Sequence, residues 1–492
     1  MYPRSAPETL AANPFFAAAI LVICGIIFLS ALKDRRYVLF GYLFFLPLTG
    51  MPMMSGRLAG IPGLSVQNLV LGMGIYAILL TRSYKVRMDS NLRTAFVFYW
   101  IAVVGVVLHG MFQLDEMARF RLYAEVGIYD YLRTFLFLPV LVWLSFVAAY
   151  RYAAVGAGRA TEYLRYTGFA ILGHATLALG SVGYYFTQTS DAHLVRELVA
   201  SFVGYHSNDL SIAFAMAAPM LIAGAVSNRT VPRRDRILFW VTLVVLVGAV
   251  LFSYSRTGYI TLALAVFSFA LLTKRSLLWL LVPAMAGLVL FGPSSVLERA
   301  QFGLEPGSAG SHTTPDLDNI SSGRVAMAAV AIEKITSDPG QMVFGGGRQT
   351  FPRISFDKFG VNHPHNAYLE ALLDGGVVGF VLVIAPFVLL FTRAVKSIRR
   401  LRASTYRPFY IAAAISLGIF FVSGLSRGSF FPTQLLVFVW QVSGFALGLL
   451  RYDMLRASQQ AQPAMSAISP SMQSDTLRRT NTSTRNNSKC VG

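Results

Sequence analysis

The chain has 492 residues, of which 55% are apolar and only 13% charged, about half the charged share of an ordinary soluble protein. The formal net charge of +19 suggests nucleic acid at first sight. The basic residues, however, fall in short clusters between apolar runs, the pattern of cytoplasmic loops, so the expected partners are membrane lipids with anionic or phosphorylated headgroups, and no nucleic acid. Two cysteines, Cys24 in an apolar run and Cys490 in the polar tail, give no disulfide framework.

Runs long enough to cross about 30 Å of hydrocarbon recur near 14–32, 37–54, 64–81, 94–112, 132–150, 166–186, 208–226, 237–254, 258–273, 276–292, 367–391, 408–425 and 431–450. The pattern predicts an all-α polytopic membrane protein of about 12–13 transmembrane helices, with one large outer loop between the tenth and eleventh spans. The first run is too long for a signal-peptide core and lacks a cleavage site. Pro47 and Pro386 fall inside spans, where membrane helices tolerate kinks. Basic clusters such as Lys33/Arg35/Arg36, Arg82/Lys85/Arg87/Arg93, Arg229/Arg233/Arg234/Arg236 and Arg393/Lys396/Arg399/Arg400 occupy every second loop, which assigns those loops to the cytoplasm. The resulting division is 1–292, transmembrane helices including the Arg256 segment; 293–366, the large outer loop; 367–450, C-terminal transmembrane helices; and 451–492, a disordered cytoplasmic tail rich in Ser, Thr, Asn and Gln. Thirteen spans put the N-terminus outside; an even count reverses that side alone. Gln113–Tyr131 mixes charges with Leu, Phe and Tyr at helical spacing and reads either as a surface amphipathic helix or as a solvated loop.

Chemistry is expected where the polar loop meets the eleventh span, at His363-Pro364-His365-Asn366. Pro364 suits a first helical turn. A helix N-terminus there favours an anion and keeps a nearby imidazole neutral, so that His365 could take a proton from a hydroxyl; the alternative is an interfacial cap. His363 is a rival for the same role. Arg256, in a polar break between apolar runs, reads as an anion clamp or as an arginine snorkelling to headgroups. Arg324 opens a helical stretch to about Lys334 and, taken alone, reads as a solvated charge. Gly345–Arg348 reads as a flexible turn without the Lys-Ser/Thr of a phosphate loop, and Asp316-Leu317-Asp318 reads as loop. Leu369, Leu372 and Leu373 read as packing positions, and Gly376 and Gly379 as sites of close approach. His109, His193 and His206 fall on the same side of the membrane. No zinc-site spacing is present, and no metal or cofactor is expected.

Together, His365-Asn366 followed by Gly376 and Gly379, Ser255-Arg256 with Gly258 upstream, Ser322-Gly323-Arg324 in the large loop and the Gly345–Gly347 turn resemble the superfamily of O-antigen ligases and Wzy-type polysaccharide polymerases. The resemblance covers about 200–380 and is carried by the order of these motifs. It implies a metal-independent, inverting glycosyltransferase of the bacterial inner membrane, facing the periplasm and using an undecaprenyl-pyrophosphate-linked oligosaccharide as donor. Carried over, His365 activates the acceptor hydroxyl, Arg256 and Arg324 hold the pyrophosphate, and His363, Asn366 and Ser255 support them. The acceptor is a growing glycan, lipid A-core or a protein hydroxyl, and a chain-length regulator is a further expected partner. A polymerase is favoured because nothing in the sequence specifies the other acceptors. The competing class, a lipid-linked glycan flippase, predicts charges in several helices and an internal repeat, and no repeat is visible.

Overall fold

The computed structural model describes residues 36–50, 66–81, 88–119, 127–189, 191–203, 206–273, 324–359, 363–426, 429–433 and 436–466, with scattered residues between 22 and 34 and Val86. Among them there are seventeen α-helices and no strand. In chain order these are α1 (Arg36–Phe45), α2 (Val66–Leu79), α3 (Ser90–Met111), α4 (Leu114–Arg119), α5 (Ile128–Leu132), α6 (Leu138–Val155), α7 (Ala157–Phe186), α8 (Ala192–Val203), α9 (Ser207–Val226), α10 (Arg233–Leu251), α11 (Arg256–Thr273), α12 (Arg324–Ser337), α13 (Pro339–Phe344), α14 (Thr350–Phe359), α15 (Ala367–Arg400), α16 (Arg407–Ser423) and α17 (Val437–Ser466). A π-helical stretch, Arg133–Phe137, joins α5 to α6.

Six of these segments are long and apolar enough to cross a membrane: Ser90–Met111, Arg133–Val155, Ala157–Phe186, Ser207–Val226, Arg256–Thr273 and Ala367–Arg400. The chain is an all-α polytopic membrane protein. Helices stand at eleven of the thirteen expected spans. The span expected near 276–292 lies outside the described residues, as do most of the span expected near 14–32, Cys24, Cys490, Asp316–Asp318 and Ser322-Gly323.

The core runs through the middle of the bundle. Helix α9 is buried along nearly its whole length, because its Ala- and Gly-rich faces let α10, α11 and α16 approach it from different sides. Helix α17 lies along α6, where Gly444 and Gly448 rest on the backbone of Phe146 and Tyr150. Trp440 is fully buried among Phe96, Tyr99, Phe146 and Phe387. Pro386 is accommodated inside α15, whereas at Pro47 the helix stops: α1 ends at Phe45 and a short 3-10 turn, Pro47–Gly50, follows.

Several expectations are corrected. The tail was expected to be disordered from Arg451, but α17 continues to Ser466. The Asp453 carboxylate holds this extension by accepting from Ser404 Oγ at 2.6 Å and Tyr410 Oη at 2.8 Å; the stretch 467–492 lies outside the described residues. Within Gln113–Tyr131 the described residues are helical in α4 and from Ile128 on, in the approach to α6, and 120–126 lie outside the described residues. Pro364 is not in the first turn of α15. Asn366 is the N-cap, its Oδ1 accepting from the amides of Tyr368 (3.0 Å) and Leu369 (3.1 Å), so the helix starts after it.

Candidate active site

Four helices begin at one end of the bundle: α9 at its cap His206, α11 at Arg256, α12 at Arg324 and α15 at its cap Asn366. The α9–α11 contact is set by Gly258, where any Cβ would overlap the Ser211 side chain. Ser255 Oγ accepts from the amide of Gly258 at 3.0 Å and is buried, so the Ser255-Arg256-x-Gly258 motif makes a capped helix start pressed against α9. The expected supporting residues Ser255 and Asn366 thus act on backbone, fixing where Arg256 and His365 stand.

The start of α15 is anchored to the end of α16. The Ala367 amide donates to the Gly424 carbonyl (2.8 Å) and Tyr368 Oη to the Phe421 carbonyl (2.8 Å). Directly before the cap, His365 adopts a left-handed backbone with φ 51°, a costly conformation for a residue with a Cβ. It brings the His365 ring against His363, with centroids 4.2 Å apart and planes inclined by 60°.

Electrostatics tie these pieces into one site. Burial pushes the His365 imidazole down to about 3, reinforced by His363, Arg324 and His206, so the ring is neutral at ordinary pH. His206 is lowered first by burial and then by Arg196; its Nδ1 accepts from the Asn208 amide, and its Nε2 faces Arg196 Nη2 at 3.2 Å. Arg196 Nε donates to Ser207 Oγ at 2.6 Å. Arg324 is lowered by burial and by the charge of Arg256. The two arginines therefore stand close enough to repel each other, and no described carboxylate pairs with Arg324. Two mutually repelling guanidiniums among helix N-termini are stabilised by an anion, and a planar guanidinium suits phosphate oxygens. The structure brings Arg256, Arg324, His363 and His365 together. His109 is exposed at the end of α3, and the His193 side chain lies outside the described residues.

Sequence reading missed a second cluster beneath this one. Arg348, 5% exposed, donates from Nη1 to Glu370 Oε1 at 2.6 Å and to Asp374 Oδ2 at 2.5 Å, and its guanidinium lies over the Phe431 ring at 4.5 Å. Burial works against its charge, but Glu370 and Asp374 more than reverse that and raise the guanidinium above its ordinary value. The Gly345–Gly347 turn was expected to be flexible and is instead stitched down. The Gly346 amide donates to Leu373 O (2.8 Å), that of Gly347 to Asp374 O (2.9 Å) and that of Arg348 to Val106 O (2.9 Å). Gly376, with φ 60°, breaks α15 where the backbone of Val343 and Phe344 crosses it, and a Cβ there would overlap the Val343 carbonyl. Leu369, Leu372 and Leu373 pack with Met327, Ala331, Ile335 and Phe351, joining α12 and α14 to α15. The available signal was two carboxylates, Glu370 and Asp374, four residues apart on an apolar helix. Acids at such positions need a partner.

Among the described residues no three His, Cys, Asp or Glu side chains cluster to hold a metal ion. Fold and site together define a polytopic membrane protein with a cationic, histidine-bearing site where four helices begin. Residues 241–384, which contain Arg256, Arg324, Arg348 and His365, match the O-antigen ligase family, so the chain carries an O-antigen ligase domain of the O-antigen ligase and Wzy-type superfamily. No curated protein matches the chain.

Proposed function

We propose that the chain is a glycosyltransferase of the bacterial inner membrane, with its site facing the periplasm, that joins glycan repeats carried on undecaprenyl pyrophosphate. The ligase-family domain supports work in polysaccharide assembly. The observation that carries the reading is the half-buried His365, its ring set against His363 by a left-handed backbone directly before the α15 cap, with its charged form disfavoured by burial, His363 and Arg324.

In the step, the acceptor hydroxyl gives its proton to the His365 ring as its oxygen attacks the anomeric carbon from the face opposite the leaving group. The bond from that carbon to the pyrophosphate oxygen breaks, and the electron pair leaves with undecaprenyl pyrophosphate. Negative charge grows on that oxygen in the transition state, where Arg256 and Arg324 stabilise it more than they stabilise the bound donor. Anomeric configuration inverts, and neither metal nor cofactor takes part. The basic residues at the opposite end of α3, α10 and α15 support the periplasmic orientation of the site, which would make the C-terminus cytoplasmic.

The polymerase reading makes a second lipid-linked repeat the acceptor, with a chain-length regulator as partner. The alternative is transfer to lipid A-core, and the O-antigen ligase family match supports either reading. Purified protein in proteoliposomes with an undecaprenyl-pyrophosphate oligosaccharide and no other acceptor tests this. A ladder of repeats on a gel is expected from a polymerase. No ladder, but transfer once lipid A-core is added, makes it a ligase. Movement of the donor between leaflets without any new glycosidic bond would contradict both.

A further inference from the structure

A slot of about 750 Å³ runs along the outside of α3 and α6. Its floor is Phe96, Trp100 and Trp143, with the two indoles edge-to-face at 5.8 Å. Its lip is Val97 and Ile101, more than half exposed. At Gly105 it is open, since a Cβ there would meet nothing within 4 Å. The walls are almost wholly apolar, apart from two arginines at one end, Arg93 in the first turns of α3 and Arg151 near the end of α6.

Those arginines distinguish the slot from an ordinary greasy groove. Neither pairs with a described carboxylate: the nearby acid Asp89 is held by Arg393 at 2.6 Å, and Arg151 donates only to the Ile78 carbonyl, at 3.3 Å. From Arg93 to Leu108 the helix rises about 22 Å, enough to line an acyl chain from headgroup level past the bilayer midplane. Two guanidiniums facing one phosphodiester leave a positive charge over. A zwitterionic headgroup would bring an ammonium into that field, whereas an anionic headgroup would not.

We infer that this slot is a binding site for one anionic phospholipid, its acyl chain along Trp100, Ile101 and Gly105 and its phosphate between Arg93 and Arg151. The lipid belongs to the leaflet at the Arg93 end, the cytoplasmic one in the proposed orientation. A polyprenyl pyrophosphate donor fits poorly, because its charged head would stand at the end of the bundle opposite Arg324 and His365. The inference does not depend on the chemistry of that site.

Native mass spectrometry of the full-length protein tests it, after equilibration with vesicles of equal phosphatidylglycerol and phosphatidylethanolamine. The wild type is expected to retain one phosphatidylglycerol with a preference of about tenfold or more, the scale of two basic residues at a membrane surface. Arg93→Ala/Arg151→Ala should lose the preference. Gly105→Trp, which fills the slot and spares the arginines, should lose the retained lipid of either class. Both variants should melt like the wild type. Equal retention of both lipids by the wild type, unchanged retention in both variants, or a retained polyprenyl phosphate in place of the phospholipid would overturn the assignment.

Discussion

Arg324 and Arg348 lie in the same run of short helices, yet the molecule treats them in opposite ways. Arg348 is sealed, with two carboxylates on one nitrogen, an aromatic face above and a glycine turn stitched around it. Arg324 is half-buried, feels a second arginine, and has no described carboxylate against it. A buried guanidinium with its counter-charges built in is finished as a structural part. One held near another cation is complete only when an anion arrives. On the proposed function, the contrast separates the part of the loop that sets geometry from the part that would meet substrate, and each half makes its own predictions.

The largest effect is expected at His365. His365→Ala should lower turnover by about 10²–10⁴-fold, the usual contribution of a positioned base, while donor affinity changes little; single-turnover transfer against lipid-donor binding separates the two. Arg324→Ala or Arg256→Ala should cost roughly 10²–10³-fold, the scale of losing one transition-state charge contact, with Arg324→Lys recovering part of it. Equal losses in Arg324→Lys and Arg324→Ala would show that the fork geometry matters more than the charge.

On the sealed side the readout is stability. Arg348→Ala strands two buried carboxylates and should destabilise the protein by about 3–5 kcal/mol, seen as early thermal unfolding in detergent. A variant that melts normally but loses turnover would move Arg348 to the other half of the comparison. Gly376→Ala forces a left-handed backbone on a residue with a Cβ and should cost at least about 1–2 kcal/mol, before counting the overlap with the Val343 carbonyl.

The smallest effect is a flat pH profile. A histidine whose folded pKa is depressed stays in its base form until the pH falls to that lowered value. With His365 at about 3, kcat/KM for the free enzyme should not decline between pH 7 and pH 5 through this group. An acid limb centred near the ordinary histidine value of about 6.5 would show that His365 is more solvated than its surroundings imply.

Much of the molecule was legible in the sequence because a membrane imposes length and apolarity on every span, and α3, α7, α9 and α15 stand where their runs predicted. The polar residues of the open site were legible for the same reason: Arg256 and His365 interrupt or border apolar runs, where charge and imidazole need explaining. The sealed cluster was not. Arg348 follows three glycines, which locally read as a loose turn, and its partners lie 22 and 26 residues further on. Only tertiary packing reveals that the glycines permit backbone contact with a broken helix. The cap at Asn366 was also hidden, since the proline two residues earlier offered a competing helix start. The closeness of His206 to His363 and His365 depends on how α9 and α15 assemble, which no local pattern encodes.

The central claim is that Arg324 and His365 serve one reaction, with one holding the leaving pyrophosphate and the other taking the proton. The most direct measurement is donor binding and single-turnover glycan transfer, made side by side on wild type, Arg324→Ala and His365→Ala in proteoliposomes. The account predicts that His365→Ala binds the lipid-pyrophosphate donor as the wild type does but fails to transfer it, whereas Arg324→Ala loses affinity and loses transfer still more. Transfer at the wild-type rate in both variants, by well-folded protein, would contradict it.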